Sequence, residues 1–199
     1  LDPKPGEVVV DMCAAPGGKT GHMIELTRGR ALILAFDHSK SKLEKMRMEM
    51  KRLGHEALVE IWRADSRYLS TDFPWLINKV DKVLVDPPCT ALGVRPKIID
   101  EKKYKDVINA SKYQYQFLKE AVKILKPGGI IVYSTCTVTI EENEKIIEKT
   151  IEELKLEPEE VSIRIGSKGV WGKYKDYYIR FHPHIHETPG YFITKLKKK

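Results

Sequence analysis

No apolar run approaches the ~20 residues that a membrane-spanning helix needs, so these 199 residues offer no candidate span. Cysteine is scarce. Cys13, Cys89 and Cys136 form an odd, widely spaced set, which excludes a disulfide framework and fits a reducing cytoplasm. Glutamine and asparagine are rare while lysine, glutamate and isoleucine are abundant, the bias found in heat-adapted proteins. No signal-peptide pattern opens the chain; a short turn at Leu1–Glu7 feeds at once into an apolar strand, an abrupt start. The excess is positive charge. A net charge of +7 suits a polyanionic partner through counterion release, although solubility alone accounts for many basic surfaces. Lys197-Lys198-Lys199 reads as a solvated tail.

Apolar runs alternate with helical periodicities. Glu7–Met12, Ala31–Phe36, Ala57–Ala64, Lys82–Val85 and Ile130–Ser134 read as buried strands. A helix is expected from about Gly18. A second opens on a capping-box pattern at Ser41 and Glu44, with Leu43, Met46, Met50 and Leu53 as its apolar stripe. A long helix runs to about Leu125 and breaks at Lys126-Pro127-Gly128-Gly129. Thr139 and Glu142 are expected to cap the next one, which carries Ile140, Ile147, Ile151 and Leu154. Tyr177–His182 and Tyr191–Lys195 form a terminal antiparallel pair. The expectation is one α/β Rossmann-like domain over residues 1–199, with a mostly parallel seven-stranded sheet and a C-terminal antiparallel hairpin. Ligands of such sheets bind at the carboxyl ends of the strands. Those ends here are Asp11–Gly18, Asp37, Asp65, Asp86–Cys89 and Ser134–Cys136, where nearly every reactive side chain falls.

Asp11-Met12-Cys13-Ala14-Ala15-Pro16-Gly17-Gly18-Lys19-Thr20 joins the first strand to the first helix. Its small residues allow close backbone approach, and the helix N-terminus attracts an anion or carboxylate. A dinucleotide loop would need G-x-G-x-x-G, which is absent. Gly18-Lys19-Thr20 ends like a P-loop, but the glycine six residues before the lysine is replaced by Cys13. Asp37 and Asp65, at successive strand ends, suit ribose hydroxyls and an adenine amino group. Each alone reads as a turn or cap residue; together they favour a nucleoside. Adenosine with a carboxylate-bearing tail describes S-adenosylmethionine.

Asp86-Pro87-Pro88-Cys89 follows the fourth strand. The paired prolines make a stiff platform, and a thiol stands where amino-methylating enzymes of the Asp-Pro-Pro pattern carry an aromatic residue. Ser134-Thr135-Cys136-Thr137 follows the fifth strand. Either cysteine alone reads as a buried structural thiol; two at adjacent strand ends beside a constrained Asp favour catalysis.

These motifs resemble those of RNA cytosine-C5 methyltransferases of the Nol1/Nop2/Sun family, in order, from about residue 5 to 195. The resemblance implies that Cys136 attacks cytosine C6, which makes C5 able to accept a methyl group, and that Cys89 assists proton removal and product release. It implies that Asp86, protonated, serves the base at N3 and also contacts the methionine end. Lys19 would lie near the reacting centre and help to lower a thiol pKa. The S-adenosylmethionine site would comprise Cys13, Ala14, Ala15, Pro16, Gly17, Gly18, Lys19, Asp37, Asp65 and Asp86. Gly93-Val94-Arg95-Pro96 is similar to the branch that modifies transfer RNA, so RNA, transfer RNA in particular, is the expected partner of a cytoplasmic monomer without a membrane role. The family's N-terminal RNA-binding portion is expected to be absent.

Three alternatives stay open: a ribosomal RNA substrate, a DNA C5 methyltransferase with its nucleophile in Pro88-Cys89, and a catalytically silent RNA-binding module. No metal is expected, although His182, His184 and His186 would share one face of a strand. Trp171, Tyr174, Tyr177 and Tyr178 could stack on bases, with packing roles the plainer reading.

Overall fold

A computed structural model describes residues 1–95, 99–163 and 165–199. β1 (Val8–Asp11) is built from β-branched residues that sit between two helical layers. Val10 faces one core with Leu34, Phe36, Val83 and Ile131, and Val9 faces the other with Ile33, Ala35, Leu84 and Val132. The apolar runs are continuous because both faces are covered. α1 (Gly18–Thr27) leads to β2 (Leu32–Asp37), then α2 (Lys40–Arg52) and β3 (Glu60–Arg63). A short α3 (Leu69–Asp72) precedes β4 (Val80–Val85), α4 (Tyr104–Ile124), β5 (Leu125–Thr135) and α5 (Glu144–Leu154). β6 (Leu156–Glu159), β7 (Ser167–Lys168), β8 (Ile179–Phe181), α6 (Pro183–His186) and β9 (Tyr191–Lys198) complete the described residues.

The sheet order is β3-β2-β1-β4-β5-β9-β8-β7, with β6 also paired to β9. β1 to β5 are parallel, and the later strands pair antiparallel. Nine strands replace the expected seven; the additions are β6 and β7, short edge strands without an apolar signal. Strand order reverses between β1 and β4, and a cleft opens at their carboxyl ends.

Several boundaries differ from expectation for local reasons. α2 is capped by Ser39, whose Oγ accepts from Lys42 N at 3.4 Å. Asp37 Oδ1 accepts from Ser39 N at 2.9 Å and turns the chain there, so Ser41 already lies inside the helix. Leu43, Met46 and Met50 are buried as expected, while Leu53 lies past the helix end, 41% exposed. β3 is shorter than Ala57–Ala64 because a turn bonding Leu58 N to His55 O occupies its start. β5 begins at Leu125, and Lys126–Gly129 bulge out between the pairs Val80↔Leu125 and Lys82↔Ile130. No helix among the described residues is long and apolar enough to cross a membrane.

Arg180 of β8 and Glu144 of α5 form a fully buried ion pair, with Arg180 Nε donating to Glu144 Oε1 at 2.6 Å. Arg180 also donates to Val138 O at 2.9 Å and so braces the segment after β5. Arg180→Met would leave a buried carboxylate without its cation. Chemical denaturation is expected to show a loss of about 3–5 kcal/mol; a loss below ~1 kcal/mol would show that the pair behaves like a surface one.

Candidate active site

Asp11 ends β1 and is fully buried. Thr20 Oγ1 donates to its Oδ2 at 2.7 Å and Cys13 N to its Oδ1 at 3.3 Å, tying the loop to α1. Burial pushes the Asp11 carboxyl up to about 6, against the pull of those two hydrogen bonds. Gly17 has φ +107°, and a Cβ there would meet Met46 Cγ and Met50 Cε at 3.0 Å. Gly17 therefore lets the loop pass close to α2, beneath the cleft. Cys13, Ala14, Ala15, Pro16, Gly18 and Lys19 line the cleft itself, and a Cβ on Gly18 would meet nothing within 4 Å. The cleft holds about 530 Å³ and also reaches Asp37, Asp65, Asp86, Cys89 and Cys136.

Asp65 is less free than a lone acceptor. Arg67 grips both its oxygens, with Nε at 2.9 Å from Oδ1, and holds its carboxyl below the usual range. Arg67 in turn lies over the Tyr113 ring, 4.7 Å from its centroid. At the other end, Lys19 Nζ donates to Asp86 Oδ2. Burial works against the Lys19 charge, but the Asp86 carboxylate outweighs it and raises the Lys19 pKa. Lys19 and Asp86 therefore face each other as an ion pair at this end of the cleft. The Tyr191 hydroxyl lies 3.4 Å from Asp86 Oδ1 and 3.3 Å from Ser134 Oγ.

The two strand-end cysteines meet. Cys89 Sγ and Cys136 Sγ are 3.3 Å apart. A hydrogen bond from Cys89 lowers the Cys136 thiol; burial and Asp86 oppose this shift, and Lys19 assists it. The same contact raises Cys89. Cys13 is raised by burial and by Asp11, Asp86 and Asp37. The cleft thus holds two thiols in contact, with a lysine–carboxylate pair at the same end. The backbone closes around it: Gly93 N donates to Cys136 O at 3.0 Å, and Gly190 N to Gly93 O at 2.8 Å. A Cβ on Gly93 would lie 2.4 Å from Gly190 O. Pro96, the last residue of the Gly93 motif, lies outside the described residues.

The family model for the 16S rRNA methyltransferase RsmB/F matches residues 1–197. The chain belongs to the RsmB/F methyltransferase family. Its relatives include the tRNA (cytosine(72)-C(5))-methyltransferase of Pyrococcus horikoshii, 47% identical over all of this chain and 49% of that protein. The human 28S rRNA (cytosine(4447)-C(5))-methyltransferase is 31% identical, over all of this chain and 26% of its own length. The crystal structure of NSun6 from Pyrococcus horikoshii with SFG superposes with a TM-score of 0.91 at 45% identity, covering 98% of this chain and 49% of that one. The chain therefore spans half or less of the length of these relatives.

Within this RsmB/F domain, several lining residues carried no sequence signal. His38 and Lys42 border Asp37, and Phe117 projects from the middle of α4, where its apolar spacing reads only as core. Ser66 and Ala91 also reach the cleft. His182, His184 and His186 do not share a strand face, because Pro183 starts α6 after His182. Among the described residues no cluster of three or more His, Cys, Asp or Glu could hold a metal ion. Tyr178 is buried and donates to Glu148 at 2.9 Å, and Tyr174 and Tyr177 pack against the core. Trp171 is 43% exposed, with Lys145 near its ring.

The unequal thiols predict unequal alkylation. With iodoacetamide and peptide-resolved mass spectrometry, Cys136 should react fastest, its rate rising with pH through a midpoint below the ordinary thiol value. Cys89→Ala should move that midpoint up, and Cys13 should lag. A Cys136 midpoint at an ordinary thiol value near ~8.5 would contradict the pairing.

Proposed function

We propose that residues 1–199 form the catalytic domain of an enzyme that methylates C5 of cytosine in RNA, with transfer RNA as the substrate class and S-adenosylmethionine as methyl donor. The observation that carries this reading is the Cys89–Cys136 contact at 3.3 Å beside the Lys19–Asp86 pair. The cleft fits the donor: open space over Gly18, Asp37 bordering it, and small residues from Cys13 to Pro16 lining its floor. Bound there, S-adenosylmethionine supplies an electrophilic methyl group. Transfer RNA is favoured because the Pyrococcus relative, named for a transfer RNA cytosine, is 47% identical, against 31% for the ribosomal RNA relative.

The chain's own residues account for the remaining chemistry. The Cys136 thiolate adds to cytosine C6, and the electron pair displaced onto the ring makes C5 nucleophilic. Lys19, held by Asp86, provides the proton-bearing side of a hydrogen-bonded pair for charge developing toward N3. After methylation a base removes the C5 proton, the C6–sulfur bond breaks, and Cys136 leaves as a thiolate. Cys89 is placed to serve this last stage, since it already shares a hydrogen with Cys136. The target base must leave its stack to reach the cleft, so single-stranded or frayed RNA should react faster than an intact helix.

The test uses transfer RNA transcript and labelled S-adenosylmethionine on a denaturing gel. Cys136→Ser is expected to give neither methylated RNA nor a covalent band. Cys89→Ala is expected to methylate and then stall, accumulating a methylated RNA–protein adduct. A covalent band with Cys136→Ser but none with Cys89→Ala would make Cys89 the nucleophile, as in the DNA-enzyme arrangement. No methylation of any RNA by the parent protein would leave the DNA-enzyme and binding-module readings.

A further inference from the structure

Glu142 lies between β5 and α5 and is fully buried. Its spacing from Thr139 is that of a helix cap, yet the five hydrogen bonds to its carboxylate come from four residues, none of them in α5. From the Cys89 loop, Thr90 N donates to Oε2 at 2.9 Å and Thr90 Oγ1 to Oε1. From the Cys136 loop, Thr137 Oγ1 and Thr139 Oγ1 donate to Oε1 at 3.3 and 2.9 Å. From α4, Gln114 Nε2 donates to Oε2 at 2.8 Å and also to Pro88 O at 3.1 Å. Thr90 and Thr137 are the residues that follow the two cysteines, and their hydroxyls are 3.0 Å apart. A carboxylate only accepts, so one group gathers donors from both loops and closes them on each other.

We propose that Glu142 is a positioning residue that sets the separation and alignment of the Cys89 and Cys136 thiols, and through them the reactivity of Cys136. The proposal rests on the two-cysteine reading above. A thiol is a weak donor, so the contact between the sulfurs depends on the loops being held from behind. Tyr133 completes the support: its hydroxyl donates to Glu142 O at 2.7 Å and lies 3.1 Å from Gln114 Oε1. Replacing the carboxylate by an amide removes the charge that gathers both loops and turns Oε1, which takes three threonine hydroxyls, into a donor, so those hydroxyls must reverse to accept and their hold on the loops changes. A shift of ~1 Å at a reacting group is enough to cost roughly 100-fold in rate.

The test compares Glu142→Gln, Glu142→Asp and Thr90→Val in the whole chain. Four measurements are made: melting temperature, S-adenosylmethionine affinity by calorimetry, kcat and KM on transfer RNA transcript, and the pH profile of Cys136 alkylation. For Glu142→Gln the expected result is a fall in kcat of roughly 100-fold with KM and donor affinity little changed. Cys136 alkylation at pH 7 should drop severalfold, with its midpoint shifted up. Glu142→Asp should recover part of both. If Glu142→Gln does not fold, Thr90→Val decides, since it removes one hydroxyl, with its contacts to Glu142 and Thr137, at nearly constant shape and should shift the profile in the same direction by less. A folded Glu142→Gln, or in its absence Thr90→Val, whose Cys136 profile coincides with the parent's would overturn the proposal, whatever happens to the melting temperature. Methylation surviving in Cys136→Ser would instead refute the two-cysteine reading, and the alkylation profiles would still judge Glu142.

Discussion

β4 and β5 are neighbours in one parallel sheet, paired from Lys82↔Ile130 to Val85↔Tyr133, and the candidate site depends on that adjacency. Parallel strands about 4.8 Å apart deliver their following loops side by side at the same edge. Each loop carries a cysteine within four residues of its strand's end, so the sulfurs can meet without strain on either strand. The other features of this end of the cleft secure that meeting. Glu142 gathers the loops from behind, the Gly93–Gly190 crossing bonds them to the start of β9, and Arg180 braces the segment after Cys136.

Charge is placed in the cleft with a similar economy. Asp11, Asp37, Asp65 and Asp86 end four strands or their extensions. Each is committed differently: Asp11 to its own loop, Asp37 to the turn that starts α2, Asp65 to Arg67, and Asp86 to Lys19. Burial, with Asp11, Asp86 and Asp37, raises Cys13, while the hydrogen bond from Cys89 lowers Cys136.

The parts of the site legible in sequence are those carried by contiguous strand–loop–helix motifs. The first loop, Asp37, Asp65 and both cysteine segments all follow strong apolar runs, so their convergence at one sheet edge followed from topology alone. Residues whose role arises from contacts far along the chain were not legible. Glu142 bonds Thr90 and Gln114, which are 52 and 28 residues away, and its local spacing mimics a helix cap. Phe117 looks like any core residue of α4. Gly17 reads as a ligand contact, and its contact with α2, where a Cβ would meet Met46 and Met50, had no signal in the local sequence. β6 and β7 escaped notice because Leu-Glu-Pro-Glu and Ser-Lys show no strand pattern and are held only by β9 and β8.

The account's central claim is a bond between Cys136 and cytosine. The direct measurement uses transfer RNA transcript carrying 5-fluorocytosine, incubated with the protein and S-adenosylmethionine, digested and mapped by mass spectrometry. Fluorine at C5 cannot leave as a proton does, so the adduct formed by attack at C6 is held. The account predicts a methylated, fluorinated nucleotide attached to the peptide that contains Cys136. Attachment to the Cys89 peptide, or efficient methyl transfer with no protein–RNA bond, would contradict it.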